Sequence, residues 1–472
     1  MKKIAVVGGG ITGLAAAHRL NELCPDIHVD LFESSPDTGG VLKTEGVQDF
    51  LVEHSADMFT SHHKAALNLC DRIGFTDQLV GTNPKNQRAF IAQGSNLVPV
   101  PRGLNLMTPS DLASIQTTPL LSDEGKKRFL QEEIIPPKPR TDDESLESFA
   151  VRRFGVEAYE KLIQPLVGGI YTADPKKLSL QSTLNQYLEM ESHHGSIIAA
   201  AKSQQQRSTE NENRENGSLQ TSGARYNLFL APKAGMSSLI EAVRQRMTYT
   251  SILLGNRVNT VKQRHSAWQL QLENGTQADY SAVILTCPAK QAADLIGHQF
   301  QDLAAQLGSI TYASSAIVIH GFEKKQINHP LDGFGFVVPL VENRNILASS
   351  FSSVKFPGRA NDQNVLLRTF VGGGCQPELL DRSNPEIAQL VQDELQDLLG
   401  TRGTPKYETI IRWNHSMPQY HVGHLDWVRQ LESDLEAIEG LEVAGKSYRG
   451  VGIPACVESG ELAAARIAQL IG

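Results

Sequence analysis

The residues with the clearest chemical implication stand at the head of the chain. An apolar run over Lys2–Val7 leads directly into Gly8-Gly9-Gly10-Ile11-Thr12-Gly13, then into the helix-like Leu14–Leu20. A second apolar strand pattern, His28–Phe32, ends at Glu33, twenty residues after Gly13. Strand, glycine turn, helix, strand and acid in this order predict a dinucleotide site. Gly8 permits the sharp turn, Gly10 lacks the Cβ that would hold a diphosphate away from the backbone, and Gly13 lets helix and strand pack closely. The diphosphate would meet the free N–H groups and positive end of the helix. Glu33 is placed to accept hydrogen bonds from a ribose diol. The alternative is an ordinary βαβ turn, but strand, helix and acid together go beyond a bare glycine motif. A further pair, Gly39-Gly40, follows between Glu33-Ser34 and Val41-Leu42-Lys43. Adjacent glycines allow close approach of a bulky ligand. This suits FAD better than NAD, and Lys43 could add a cation near the phosphates.

The far end of the chain repeats this architecture. Leu441–Ala444 reads as a strand, Gly445–Pro454 as a glycine-rich turn, and Ala455–Arg466 as a small-residue helix. A helix N-terminus there would aim backbone N–H groups at an electron-rich partner such as a flavin's pyrimidine edge. One more βα unit of the same sheet is the plainer reading, and both can hold.

Composition narrows the classes. The 472 residues suggest about three domain-sized units, and 40% hydrophobic residues support sizeable cores. A net charge of −8 gives no basic footprint for nucleic acid. The strand begins almost at Met1, so no cleaved signal peptide is expected, and no apolar run is long enough to span a membrane. The five cysteines are scattered without Cys-x-x-Cys spacing, which points to a reducing cytoplasm rather than a disulfide framework or zinc ribbon. The adjacent pairs His62-His63 and His193-His194 would diverge on a helix, so no metal site is expected.

Between the two ends, Ala65–Ile73 reads as an amphipathic helix and Pro84–Pro101 as strands and turns. Residues 108–201 read as mostly helical, interrupted by the stiff Pro136-Pro137-Lys138-Pro139. Gln204–Gly223 has almost nothing apolar to bury and is expected to be a mobile loop. A helix over Ser237–Met247 and strands over Asn256–Gln263, Trp268–Glu273, Ala282–Thr286, Ala313–Phe322, Gly335–Pro339, Asn345–Phe351 and Val365–Val371 follow.

The chain resembles the FAD-dependent porphyrinogen oxidases of haem biosynthesis, protoporphyrinogen IX oxidase and bacterial coproporphyrinogen III oxidase, within the flavin amine oxidase superfamily. Four segments carry the resemblance: the glycine loop with Glu33 and Gly39-Gly40; Pro165-Leu166-Val167-Gly168-Gly169-Ile170-Tyr171-Thr172-Ala173-Asp174-Pro175; Met417-Pro418-Gln419-Tyr420 with Gly423-His424; and Ser447-Tyr448-Arg449-Gly450-Val451-Gly452-Ile453-Pro454. The resemblance implies an α/β fold of mixed α+β character. Its Rossmann-like FAD-binding domain would comprise 1–85, 225–300 and 425–472. A mixed β-sheet substrate domain would comprise 86–107 and 301–424, a helical domain 108–201, and a flexible polar loop 202–224. It implies FAD contacts at Gly8, Gly9, Gly10, Ile11, Thr12, Gly13, Glu33, Ser34, Gly39, Gly40, Val41, Lys43, Ser55, Ala56, Asp57, Met58, Val258, Trp413, Val451, Gly452 and Ile453, with Val258 binding adenine through its backbone. Gly168, Gly169 and Tyr171 would line the tetrapyrrole pocket near the flavin. Two features depart from the family: Ser55 stands where relatives carry glycine, and no arginine stands near Asn105, where plant and animal relatives hold a propionate. Arg102 is the nearest cation.

The implied reaction removes six electrons from coproporphyrinogen III in three rounds of hydride transfer to FAD, with oxygen as acceptor and hydrogen peroxide as product. Hydride transfer requires no protein acid or base, and none is evident in the sequence; orientation and exclusion of water remain the protein's task. Lys176, Lys177, Arg102, Arg412 and Arg449 are candidate partners for the propionates. Protoporphyrinogen IX is the alternative substrate. A flavin amine oxidase, a carotenoid-desaturase-like enzyme and a non-catalytic flavin-bound tetrapyrrole scaffold are further readings. Peripheral membrane contact through the helical part, and transfer of product to another haem-pathway enzyme, are also expected.

Overall fold

The computed structural model describes residues 2–139, 142–212 and 228–471. It divides into two compact units: residues 1–81, 228–312 and 425–472 form the first, and residues 82–227 and 313–424 the second. The helical region and the sheet segments, expected as separate domains, both fall in the second unit.

The first unit is built on a five-stranded sheet. Its strands are β1 (Lys3–Val7), β2 (His28–Glu33), β3 (Thr250–Leu254), β4 (Ala282–Leu285) and β5 (Leu441–Val443). Their spatial order is 3-2-1-4-5, and every pairing is parallel. Both faces of a parallel sheet are covered, and the strand residues divide accordingly. Ile4, Val6, Val29, Leu31 and Ile284 enter the core shared with the helices. Ala5, Val7, Phe32, Val283 and Leu285 enter the opposite core with Trp268, Leu270 and Leu431. The period-2 pattern of the sequence thus becomes two layers. Helix α1 (Ile11–Leu23) follows β1, and α2 (Ile453–Ile471) follows β5. They pack so closely that a Cβ on Gly460 would stand 2.3 Å from the Thr12 carbonyl oxygen. Lys2 Nζ also donates to the Ile471 carbonyl at 2.5 Å. The two ends of the polypeptide therefore meet. The strand order reverses at β1, and in such sheets the crevice beyond the carboxyl ends of the strands at that point is where ligands bind.

The second unit carries a mixed seven-stranded sheet. Its strands run in the spatial order Tyr407–Pro418, Tyr312–Glu323, Asn364–Gly372, Ala348–Phe351, Gly335–Val337, Phe90–Gln93 and Asn96–Pro99. It includes a parallel pair between Gly335–Val337 and Phe90–Gln93. A helical core around Phe129, Phe149, Phe154 and Leu162 belongs to the same unit. The polar stretch expected as a loop from 202 is helical as far as Glu212, within Ile197–Glu212. Lysine, glutamine and glutamate are good helix formers, and the start of this helix is fixed. The buried Glu132 carboxylate accepts from Ile197 N–H at 2.9 Å, Ile198 N–H at 3.0 Å and Ser196 Oγ at 2.6 Å. The rest of the expected loop, 213–224, lies outside the described residues.

Candidate flavin site

At the carboxyl end of β1, Gly8, Gly10 and Gly13 have distinct constraints. Gly8 has φ +115°, and a Cβ there would meet Thr286 Oγ1 at 2.7 Å. A Cβ on Gly13 would stand 1.9 Å from the Gly8 carbonyl oxygen. A Cβ on Gly10 would meet nothing within 4 Å. Gly8 and Gly13 are glycines because the protein fills the space, whereas Gly10 faces space that the protein leaves open. Gly10 is also the N-cap of α1, with no side-chain cap and no acid in the first turn. The first N–H groups of α1 thus lack the side-chain acceptor that usually satisfies them. An open cradle over uncapped N–H groups fits a diphosphate.

Glu33, at the end of β2, closes one side. Its Oε2 accepts from Gly9 N–H at 2.7 Å, and its Oε1 accepts from Ser35 N–H and Ser35 Oγ, both at 2.8 Å, and from Ser34 Oγ at 3.3 Å. Oε2 with its single bond retains acceptor capacity for a ribose hydroxyl. The second glycine pair packs onto the first loop. Gly39 N–H donates to the Gly9 carbonyl at 2.8 Å. Gly39 and Gly40 have φ +106° and +59°, and a Cβ on Gly40 would lie 3.3 Å from Gly10 Cα. Ser55 Oγ donates to the Val41 carbonyl at 2.5 Å, so its hydroxyl is turned to the protein. Lys43 and Ala56 are exposed, Asp57 is buried and Met58 is half-buried. Val258 begins the antiparallel strand Val258–Arg264, where the register shifts between Val258 and Thr260. Such a bulge leaves a backbone group unpaired, which suits recognition by main chain.

The C-terminal turn reaches the same sheet edge. Ala444 N–H donates to the Leu285 carbonyl at 2.9 Å, and Gly445, at φ +130°, donates to Ser459 Oγ at 2.9 Å. Val451 and Gly452 lead into α2 at Ile453. Thr286 was not evident from the sequence as a site residue. Its Oγ1 donates towards the Val7 and Gly8 carbonyls at 3.0 and 2.9 Å and so braces the glycine turn. Its signal is positional: it follows β4 at the carboxyl edge of the sheet. Every expected flavin contact except Trp413 lies in this unit; Trp413 lies on Tyr407–Pro418 in the second.

In the second unit the helix Gln164–Tyr171 ends at Thr172, which adopts the left-handed conformation at φ +46°. Asp174-Pro175 follows, and a residue before proline disfavours helix. This end lines a cleft with Gln164, Gly168, Gly169, Val338, Leu347, Gly374 and Cys375. A Cβ on Gly169 would meet only Val337 Cγ1, at 3.7 Å. Burial pushes the Cys375 thiol up to about 11. Tyr171 does not line this cleft: its hydroxyl donates to the Thr183 carbonyl at 3.1 Å, and burial pushes its pKa up to about 12. Arg102 is exposed and is likewise not on the cleft wall. Arg412 is spent on Asn384 Oδ1 and on the carbonyls of Leu380 and Arg382, and Arg449 pairs with Glu432. Lys176 and Lys177 are exposed, with Lys177 3.8 Å from Asp174.

A model of the flavin-containing amine oxidoreductases matches residues 11–468. The chain belongs to that family. Within this flavin family it is 32% identical over 468 residues to the coproporphyrinogen III oxidase of Bacillus subtilis (strain 168), covering 98% of this chain and 97% of the relative. It is 28% identical to protoporphyrinogen oxidase 2 of Arabidopsis thaliana, covering 97% and 92%. A crystallised candidate protoporphyrinogen oxidase from Exiguobacterium sp. 255-15 superposes with a TM-score of 0.86 at 28% identity, covering 99% of each chain. The chain is thus an oxidoreductase of a flavin-dependent fold. Among the described residues no helix is long and apolar enough to cross a membrane, and no His, Cys, Asp and Glu cluster is arranged to hold a metal ion.

Proposed function

We propose that the chain is an oxygen-dependent porphyrinogen oxidase that uses FAD to convert coproporphyrinogen III to coproporphyrin III, consuming three O2 and forming three H2O2. The observation that carries this reading is the end-to-end likeness to a bacterial coproporphyrinogen III oxidase, 32% identical with 98% of this chain covered. The open cradle at Gly10 supports the dinucleotide form of the cofactor. In this reading Ile11, Thr12 and Gly13 present backbone N–H groups to the diphosphate, Glu33 holds the ribose, the Val258 backbone meets adenine, and Val451–Ile453 face the flavin's pyrimidine edge. When bound, FAD accepts hydride and is reoxidised by oxygen. The protein orients the macrocycle and excludes water. Gly169 adds no side chain to the cleft beside it, which as it stands holds about 10 Å³, room for a single water. The cleft's titratable lining group is Cys375, held neutral at physiological pH by its raised pKa. A wall without an ionised acid or base suits hydride chemistry.

The likeness to plant protoporphyrinogen oxidases sustains protoporphyrinogen IX as the second reading. Oxidation rates for the two porphyrinogens, read side by side by porphyrin fluorescence, decide between them: faster turnover of coproporphyrinogen is expected, and a strong preference for protoporphyrinogen reverses the substrate. Chromatography of the released cofactor should give FAD, not FMN. We place the enzyme in the cytoplasm, touching the membrane peripherally before its product passes to another haem-pathway enzyme. Ile134 and Val156 of the helical region, 79% and 55% exposed, would meet the lipid. Replacing both with aspartate should abolish flotation with anionic vesicles and leave turnover in detergent-free buffer unchanged. Flotation equal to wild type would remove the membrane from this reading.

A further inference from the structure

Residues 444–452 connect β5 to α2 with neither helix nor strand. Two glycines in this connection, Gly445 at φ +130° and Gly450 at φ +154°, take torsions that side chains disfavour. It has no ladder or helix of its own to fix its path, so its course depends on what its middle is tied to. Ser447, buried, stands in that middle. Its Oγ lies 2.8 Å from Tyr312 Oη. The Ala289 N–H donates to Tyr312 Oη at 2.9 Å and to Ser447 Oγ at 3.3 Å. A phenol that accepts from Ala289 still has its own proton for Ser447. Ala289 opens the helix Ala289–Ile296, whose N-cap Pro288 supplies no side-chain acceptor, so two hydroxyls distant in sequence take that part. The anchor on this side is firm: a Cβ on Gly8 would stand 3.2 Å from Cys287 N, so the chain leading into Ala289 is packed against the glycine turn. Arg449, on the same connection, pairs with Glu432 at the surface, and exposed pairs of that kind fix little.

We propose that Tyr312 is a positioning residue for the flavin: through Ser447 it fixes the connection that carries Val451, Gly452 and Ile453. This rests on the FAD reading of the site, in which those three residues face the pyrimidine edge, and deepens it. Tyr312 touches no reacting atom; it determines where the residues that meet the ring stand. The parallel register of β4 and β5 brings the segments that follow them, with Ala289 and Ser447, to one edge of the sheet. Tyr312, the last residue of the first unit, closes the group.

The test uses the full-length chain freed of flavin, as wild type, Y312F, S447A and the double variant, titrated with FAD, riboflavin and ADP. Riboflavin carries the ring without the diphosphate, and ADP carries the diphosphate without the ring. Y312F is expected to weaken FAD and riboflavin each by about fivefold or more and to leave ADP within about twofold. The visible absorbance of FAD bound to Y312F should move towards that of free FAD, a change that a loss of stability alone would not produce. S447A should give the same pattern, and the double variant should lie within about twofold of either single one, because both act along one path. If Y312F does not fold, S447A carries the same expectations. Wild-type flavin affinity and spectrum in the variant overturn the proposal, as do a loss of ADP affinity equal to that of riboflavin and losses that multiply in the double variant. Wild-type protein that binds none of the three overturns the cofactor reading itself, and the role of Tyr312 with it.

Discussion

Gly10 and Gly13 stand three residues apart in one turn, yet a side chain would have opposite consequences at the two. At Gly10, with φ −72°, a Cβ meets no protein atom within 4 Å. Gly10→Val should cost under about 1 kcal/mol in urea unfolding of the apoprotein while flavin retention falls at least about tenfold, because the methyl groups fill the volume a diphosphate needs. At Gly13 the Cβ would lie 1.9 Å from a carbonyl oxygen. Gly13→Val should cost about 3 kcal/mol or more, because neither backbone can yield. Equal stability losses for the two variants would contradict this division of roles. Glu157 gives a pH-dependent case. Burial pushes its pKa up, but hydrogen bonds from Lys161 and from Ser122 outweigh this and hold it at about 2. A carboxyl depressed on folding stabilises above its unfolded value of 4.5, and that contribution is lost as pH falls from there towards about 2. Acid unfolding followed by circular dichroism should therefore be less steep over that window for Glu157→Gln than for wild type.

The helix Ile197–Glu212 depends on a buried ion pair at its start. Glu132 and Arg153 are paired and both fully buried, and the same Glu132 carboxylate caps the helix. Glu132→Ala would leave the buried Arg153 guanidinium with Glu191 as its one carboxylate partner, at 3.2 Å, and three donors unsatisfied, and should cost about 3–5 kcal/mol in urea unfolding; a loss under about 1 kcal/mol would show that the pair does not anchor the helix. This network explains why composition misplaced the start of the polar loop: its cap comes from 65 residues upstream, beyond any local pattern. Two strands that carried no clear signal, Thr250–Leu254 and Tyr407–Pro418, share a physical reason. Each is the edge of its sheet and half-buried along most of its length. With one neighbour and one partly wet side, an edge strand shows neither a continuous apolar run nor strict alternation. Central strands such as Lys3–Val7 and Ala282–Leu285, buried almost throughout, were legible.

At the scale of the molecule, the cradle was readable because its chemistry is local: turn, cap and acid lie within Gly8–Glu33. What could not be read arrives from afar. Thr286 reaches the glycine loop through the order 3-2-1-4-5, which no neighbouring residue encodes. Arg412 and Arg449 looked available as charges in the sequence, but packing commits them to neighbouring side chains and carbonyls. In the proposed reaction a flavin held at the meeting of the chain's two ends takes hydride from a porphyrinogen. Anaerobic mixing of the purified holoprotein with coproporphyrinogen III tests this most directly. Loss of the oxidised flavin absorbance is expected before air is admitted, with coproporphyrin fluorescence growing to the full substrate concentration afterwards; flavin absorbance that stays unchanged under coproporphyrinogen and protoporphyrinogen alike would rule this chemistry out.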